Sequence, residues 1–227
     1  MKSPMRINTQ DLFEAGHSLA WQYLSDTVYP WEILPRLNDL IHHIGKNLDP
    51  SRYDTPTDGV WIAKTAKVSP TASIAPPAII GENTEVRHCA FIRGSALVGD
   101  GCVVGNSAEL KNCILSDGAQ VPHFNYVGDS ILGYKAHLGA GAVTSNVKSD
   151  RSPVLRIKAG DTVIDTGLKK LGALLGDYAE IGCHAVLNPG CVIGQNATVY
   201  PTASVRGVVP ANHILKAGKG VELSEKV

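Results

Sequence analysis

Residues 72–110 read ASIAPPAIIGENTEVRHCAFIRGSALVGDGCVVGNSAEL, and an aliphatic side chain falls on every sixth position of that stretch: Ile74, Ile80, Val86, Ile92, Val98, Val104 and Leu110. Two residues ahead of each stands a small one, in order Ala72, Ala78, Thr84, Ala90, Ala96, Cys102 and Ala108. A period of six is a multiple of the strand period of two and matches neither the 3.6 nor the 3.5 of helices. The units are therefore short extended segments that turn two residues inward. Three such units close a triangular coil of about eighteen residues, and successive coils stack in parallel at roughly 4.8 Å.

The same count runs outward in both directions. Upstream it reaches Val60, Ile62, Ala66 and Val68; downstream it resumes after a one-residue deletion as Leu115, Val121 and Val127, and after another as Leu132 and Leu138. It restarts at Leu175, Ile181, Leu187, Ile193, Val199 and Val205, preceded at the same offset by Ala173, Ala179, Ala185, Cys191, Ala197 and Ala203. The spacing predicts a mainly β chain: a parallel β-helix over 59–208, an interruption over 145–172, a helical segment over 1–58 and a tail over 209–227. Within the interruption, residues 154–157 (VLRI) and 162–164 (TVI) flank 158–161 (KAGD) as an inserted hairpin that would reach a neighbouring subunit or line a site.

Ahead of the repeat, Leu12, Phe13, Leu19, Ala20 and Leu24 fall at helical spacing after Thr9, a candidate cap. Ile33, Leu34, Leu37, Leu40, Ile41 and Ile44 follow Pro30 and end at Gly45. Two amphipathic helices are expected, placed to cover the open first coil, whose strands would otherwise expose pairing edges. A regulatory or partner-binding role is the other reading of this segment.

Composition narrows the function classes. Aromatic residues are 6% of the 227, so small aliphatic side chains must fill the core. Lys plus Arg and Asp plus Glu both count 21, and a formal charge of zero provides no global field for nucleic acid or an anionic membrane. Any anion site must be local. No apolar run approaches the roughly 20 residues of a bilayer span, and Met1 to Arg6 leads into a polar stretch rather than a signal-peptide core, so a cytoplasmic protein is expected. Five cysteines without a CxxC suit a reducing compartment, and Cys102 and Cys191 fall on the small inward ladder.

The ladder also places polar residues. Arg93 directly follows Ile92 and Lys111 directly follows Leu110, so the two stack one coil apart. Cations about 5 Å apart repel unless an anion or carboxylate lies between them, and phosphate suits both. A solvated basic edge, partly neutralised by Glu109, is the plainer alternative. His123 lies outward, two after Val121, with His88 in the equivalent place two coils earlier and Asn106 between them. A histidine is more often structural than catalytic, yet an imidazole here can take a proton from an attacking amine near neutral pH. Backbone amides of the turn Gly139-Ala140-Gly141 are candidates for stabilising an oxyanion. No metal is expected, because a zinc-dependent carbonic anhydrase on such a scaffold would need converging histidines and no close pair occurs on the coils.

The stretches 105–111 (GNSAELK), 123–129 (HFNYVGD) and 138–146 (LGAGAVTSN) resemble, in order and spacing, the acetyltransferase domain of the bifunctional glucosamine-1-phosphate acetyltransferase / N-acetylglucosamine-1-phosphate uridyltransferase family. A looser likeness runs from 166–173 (TGLKKLGA) to Pro189-Gly190. The resemblance implies a left-handed coil and a homotrimer with sites between prisms. It implies an acetyl-coenzyme A-dependent N-acetyltransferase acting on an amino-sugar phosphate, glucosamine-1-phosphate above all, on the route to UDP-N-acetylglucosamine. By it, His123 would be the general base, Arg93 and Lys111 would hold the sugar phosphate, Tyr126 and Asn146 would contact the sugar, and the Ala140 amide would face the acetyl carbonyl. His137 stands where the family has an asparagine that contacts the sugar, and Cys183 where a serine meets coenzyme A, which leaves the acceptor open. The uridyltransferase half, with its Gly-rich nucleotide loop, has no counterpart in residues 1–58, so no UDP-sugar formation from UTP is expected. A non-catalytic or regulatory sugar-phosphate-binding homologue is the alternative.

Overall fold

The computed structural model describes residues 6–150, 152–217 and 221–225, and in it the count in sixes becomes a three-sided prism. On the first face, Val60 pairs with Ala78, Ala78 with Ala96 and Ala96 with Cys113, and the ladder continues through Ala173–Leu175, Cys191–Ile193 and Val208–Val209, all parallel. The second face stacks Val68, Val86, Val104 and Val121, and further along Leu138, Ile181 and Val199. The third stacks Ile74, Ile92, Leu110 and Val127, then Thr144, Leu187 and Val205. The chain is a left-handed parallel β-helix of about nine turns.

The inward aliphatic positions from Ile80 to Val205 are at most 1% exposed, and Cys102, Cys113 and Cys191 pack among them as small hydrophobes. Burial pushes those three thiols up to about 12, which leaves them protonated and inert at neutral pH. Past Val205 the coil keeps stacking through Val208–Val209 and His213–Ala217, and Val221–Glu225 closes it antiparallel.

The amino-terminal segment does not sit over the open first coil. Ile62, Val68 and Ile74 there remain only partly buried, although a short strand, Tyr53–Thr57, pairs antiparallel with Val60–Ala63. The helical elements are also shorter than expected. They are two single turns, Thr9–Leu12 and Trp21–Leu24, then a 3-10 stretch, Pro30–Arg36, that runs into an α-helix, Leu37–Lys46. Asn8 rather than Thr9 is the cap residue of the first turn, its backbone N–H donating to the Asp11 carboxylate, while Thr9 is buried and bonded to the Thr27 hydroxyl.

These elements lie along the outer side of the first face. The reason is a second apolar ladder one residue ahead of the inward aliphatic: Ile79, Leu97, Ile114, Ile131, Leu174 and Val192, all 0% exposed, pack under Leu12, Leu24, Trp31, Ile33, Leu37 and Ile41. Each such side chain left in water would forfeit about 1.5–3 kcal/mol, and this ladder has six of them against the three partly buried aliphatics, Ile62, Val68 and Ile74, of the coil end. Gly45 lies inside the helix; a Cβ there would overlap the indole of Trp61, so glycine lets the helix lie flat on the face.

The hairpin forms over Arg156–Ala159 and Thr162–Asp165, around Gly160 and Asp161. It folds back onto its own prism. Leu155, Ile157 and Ala159 join the same apolar cluster and Leu155 lies against Gly190, so the hairpin extends over the later coils the cover that the helices begin. The first face is thus roofed by the chain itself, and the second and third faces stay open.

Candidate active site on the third face

Two corners bound the third face. At the corner shared with the second face, a ladder of backbone bonds runs rung by rung: Ser107 N–H to His88 O, Phe124 to Asn106, Gly141 to His123, His184 to Ala140, and Thr202 to Cys183. His88, Asn106, His123, Ala140 and Cys183 are therefore consecutive rungs, about 4.8 Å apart. The residue after each takes the left-handed conformation that turns the chain, as at Phe124 (φ 51), Gly141 (φ 70) and His184 (φ 57). His123 is exposed, with Ala140 one rung below it and the exposed Cys183 two below.

A buried asparagine holds this corner. Asn125, 2% exposed, donates to the carbonyls of Gly139 (2.9 Å) and Ala142 (3.0 Å) and accepts from the His123 amide at 3.0 Å. It thereby ties the His123 rung to the Gly139-Ala140-Gly141 turn. Sequence reasoning assigned it no role, although it breaks the run of small inward residues two positions before Val127, which was the available signal.

At the opposite corner the two cations do stack in register, since the Arg93 amide donates to Leu110 O. They do not face each other unpaired. The Arg93 guanidinium meets Glu109 Oε1 at 2.6 Å, and Lys111 Nζ meets both oxygens of Asp129 at 2.9 and 3.2 Å. Bonding to Glu109 raises the guanidinium pKa further. The repulsion that would call for a phosphate is already answered by two carboxylates, and the quartet is formally neutral.

Asp129, 5% exposed at its side chain, is the hub of this corner. Besides Lys111 it accepts from Asn112 Nδ2 at 2.8 Å and from Asn146 Nδ2, which also donates to the Tyr126 hydroxyl at 3.2 Å. Burial first, and then the charge of Asp129, push the Tyr126 hydroxyl pKa up, so the phenol keeps its proton at neutral pH. A methyl group at Gly128 would overlap Tyr126 Oη, so glycine there is what lets the ring lie over the strand. Asp129 was not singled out from the sequence; nothing in a six-residue count marks it beyond its place at a deletion.

The structure thus brings Arg93, Lys111, Tyr126 and Asn146 onto the third face and its outer corner, and His123, Ala140 and Cys183 onto the inner one. His137 does not join them within one chain. It projects from the second face, level with Gln120 and Glu180, and its Nδ1 pairs with Glu180 Oε2 at 2.9 Å.

No family model matches the chain. In sequence it is 32% identical over 179 residues to the bifunctional protein GlmU of Methanococcus maripaludis, an alignment that takes in 78% of this chain and 43% of that relative. It is 34% identical over 99 residues to a bifunctional sugar-1-phosphate nucleotidylyltransferase/acetyltransferase of Sulfurisphaera tokodaii, covering 44% of this chain and 24% of that one. Among solved structures, the acetyltransferase domain of PglB from Neisseria gonorrhoeae, in complex with acetyl coenzyme A, covers 86% of this chain and 77% of its own at 18% identity and a TM-score of 0.34, a likeness that says nothing of activity. The chain spans less than half the length of the curated relatives it matches over most of its own length. By fold and by sequence, it is a hexapeptide-repeat β-helix similar to the C-terminal acetyltransferase region of the GlmU proteins.

Proposed function

We propose that the chain is an acetyl-coenzyme A-dependent N-acetyltransferase of amino-sugar phosphates, with glucosamine-1-phosphate the first acceptor to test. The observation that carries the reading is the inner corner: an exposed imidazole on His123, whose backbone amide is tied through Asn125 to a turn whose Ala140 lies on the next rung. His123 takes the proton from the acceptor amine as its nitrogen attacks the acetyl carbonyl. The Ala140 amide faces the oxygen that becomes anionic, and the imidazolium returns its proton to the departing coenzyme A thiolate as the carbon–sulfur bond breaks. Atoms balance as amide plus free thiol. Arg93 and Lys111 meet the acceptor's phosphate, exchanging part of their pairing to Glu109 and Asp129 for it, while Tyr126 and Asn146 contact the sugar.

The assembly follows in the same reading. With the first face roofed by its own chain, Phe91 (43% exposed), Phe124 (64%), Val186 (37%) and Tyr200 (42%) remain open on the other two. A homotrimer joined through those faces would set His137 and Cys183 of one prism beside the third face of the next. For location, no helix among the described residues is long and apolar enough to cross a membrane.

Release of free thiol from acetyl-coenzyme A in the presence of a panel of amino-sugar phosphates tests the reaction. Turnover is expected, reduced about 10²- to 10⁴-fold in His123→Ala. Turnover that survives that substitution removes His123 as base. Sugar-phosphate binding without thiol release on any acceptor favours instead the non-catalytic binding homologue, a reading to which the neutral, already-paired quartet of charges lends support.

A further inference from the structure

The contacts of Asp129 reach, through one amide, to the hydroxyl of Tyr126. Its side chain is surrounded by donors: the Lys111 ammonium, the Asn112 amide and the Asn146 amide. A carboxylate facing an ammonium accepts and never donates, so it dictates which end of Asn146 turns toward it. Asn146 must present its NH₂ group, and that group spends its second hydrogen on the Tyr126 oxygen at 3.2 Å. One lone pair of the phenol is then occupied from within. Among the described residues the hydroxyl proton has no protein acceptor, and the raised pKa of the phenol keeps that proton in place.

We propose that Asp129 is a positioning residue that fixes the direction of the Tyr126 hydroxyl: by holding the Asn146 amide, it makes Tyr126 an acceptor inward and a hydrogen-bond donor outward, toward the acceptor sugar. The inference rests on the acyl-transfer reading above and names a residue which that reading leaves without a role. Its reach is through Asn146; Asp129 itself does not touch the sugar.

The consequence of Asp129→Asn follows from donor counting. The new amide nitrogen meets a donor in either position, but at Oδ1 it would face two at close range, Lys111 Nζ at 2.9 Å and Asn112 Nδ2 at 2.8 Å, whereas at Oδ2 the ammonium is 3.2 Å away; it therefore takes the place of Oδ2 and confronts the NH₂ of Asn146. Asn146 relieves the clash by rotating its amide half a turn. Its carbonyl oxygen then lies beside Tyr126, and the phenol donates inward rather than outward. The substitution removes one outward donor without removing the tyrosine.

A double-mutant cycle tests this on the full chain, with acetyl-coenzyme A and the best acceptor from the panel. Asp129→Asn and Tyr126→Phe are each expected to lower kcat/KM for the acceptor about 5- to 10-fold, the worth of one hydrogen bond, and the double variant is expected to be no worse than either single one. KM for acetyl-coenzyme A should stay within about twofold, which a general loosening of the structure would not allow. Loss of a negative charge beside Arg93 and Lys111 would by itself tighten a phosphate-bearing acceptor, so an unchanged or improved kcat/KM in Asp129→Asn overturns the inference. Multiplicative losses in the double variant overturn it as well. Should Asp129→Asn fail to fold, Asp129→Ser, whose shorter side chain releases the Asn146 amide without forcing it to turn, enters the same cycle, with a smaller loss than Tyr126→Phe and again no further loss in the double variant. A wild type that transfers no acetyl group to any acceptor removes the acyl-transfer reading and this inference together; an active wild type with an additive cycle removes this inference alone.

Discussion

Gly105→Ala is the perturbation that separates the coil's geometry from its chemistry. A Cβ at residue 105 would fall inside the backbone of Pro122 on the next rung, overlapping its carbonyl oxygen, carbonyl carbon and Cα. Backbone cannot swing aside as a flexible side chain does. Restoring an ordinary carbon contact of about 3.5 Å means moving the Pro122-His123 rung by roughly 1.5–2 Å, against a coil spacing of about 4.8 Å. That rung is anchored on both sides, through Phe124 N–H to Asn106 O and Gly141 N–H to His123 O, and through Asn125 to the turn below. Overpacking a closed site costs about 1–3 kcal/mol and more where backbone must yield, which in a chain of this size lowers Tm by roughly 3–10 °C. The same displacement carries His123 more than about 1 Å from its place, an error worth around 100-fold in rate. Gly101→Ala is the control: it has open space around it but a φ of +62, so it pays only a conformational cost of about 1 kcal/mol and leaves His123 where it was. Thermal melts and thiol-release rates on both variants check the reasoning. A Gly105→Ala protein with wild-type melting and turnover would refute it, as would equal loss of activity in both.

Other expectations follow from burial. Iodoacetamide labelling of the native chain should modify Cys89 and Cys183 and spare Cys102, Cys113 and Cys191, whose thiols burial pushes up to about 12; in urea all five should react, as read by mass spectrometry. Acetyl-coenzyme A should slow labelling of Cys183 relative to Cys89, and equal protection of the two would separate Cys183 from the donor site. Leu97→Ala, at a fully buried position under the helix Leu37–Lys46, should lower the free energy of unfolding by about 2–5 kcal/mol in urea titration; less than about 1 kcal/mol would mean that the amino-terminal segment is not packed on that face.

The prism was legible because inward positions recur at a fixed interval and tolerate only small or aliphatic residues, so that Val104, Leu110 and Val121 announce their burial in the primary structure. The roof was not read from the sequence, although its signal was present. Ile79, Leu97, Ile114 and Ile131 recur once per coil beside an inward residue, where a two-sided open solenoid would carry polar side chains. Counting only the sixes hid a longer period of about eighteen that marks which face is covered. Of the site, the stacked cations and the outward His123 followed from register alone. Asp129 and Asn125 did not, because their roles depend on which neighbouring side chains their polar atoms meet, and spacing along the chain carries no information about hydrogen-bond partners across coils.

A strict repeat makes every rung alike, so a unique constellation of side chains has to arise where the repeat is broken. The breaks in this chain fall on one corner. The one-residue deletions lie between Leu110 and Leu115 and between Val127 and Leu132, the insertion follows Thr144, and Val205 is followed after only four residues by the next buried valine, Val209. Each lies where the third face turns into the first. At the two deletions the whole turn is made by a single left-handed residue, Asn112 (φ 49) and Asp129 (φ 49), within uninterrupted strands, Glu109–Leu115 and Tyr126–Leu132. At the insertion, Asn146 leaves the coil and Gly172 re-enters it, bonded to the Asp129 carbonyl at 2.8 Å. The shortened turns draw Asn112 and Asp129 in toward the prism, and the excursion begins by bringing Asn146 over them, so the polar cluster and the roofing hairpin originate at the same point. Polar residues also replace the usual inward types at Asn125, Ser130 and Thr144, all within the coils that bear the cluster and all hydrogen-bonded internally. Regular rungs supply rigidity, and the irregular corner spends part of it on holding Lys111, Asp129, Asn146 and Tyr126 in one arrangement beside the rung that carries His123.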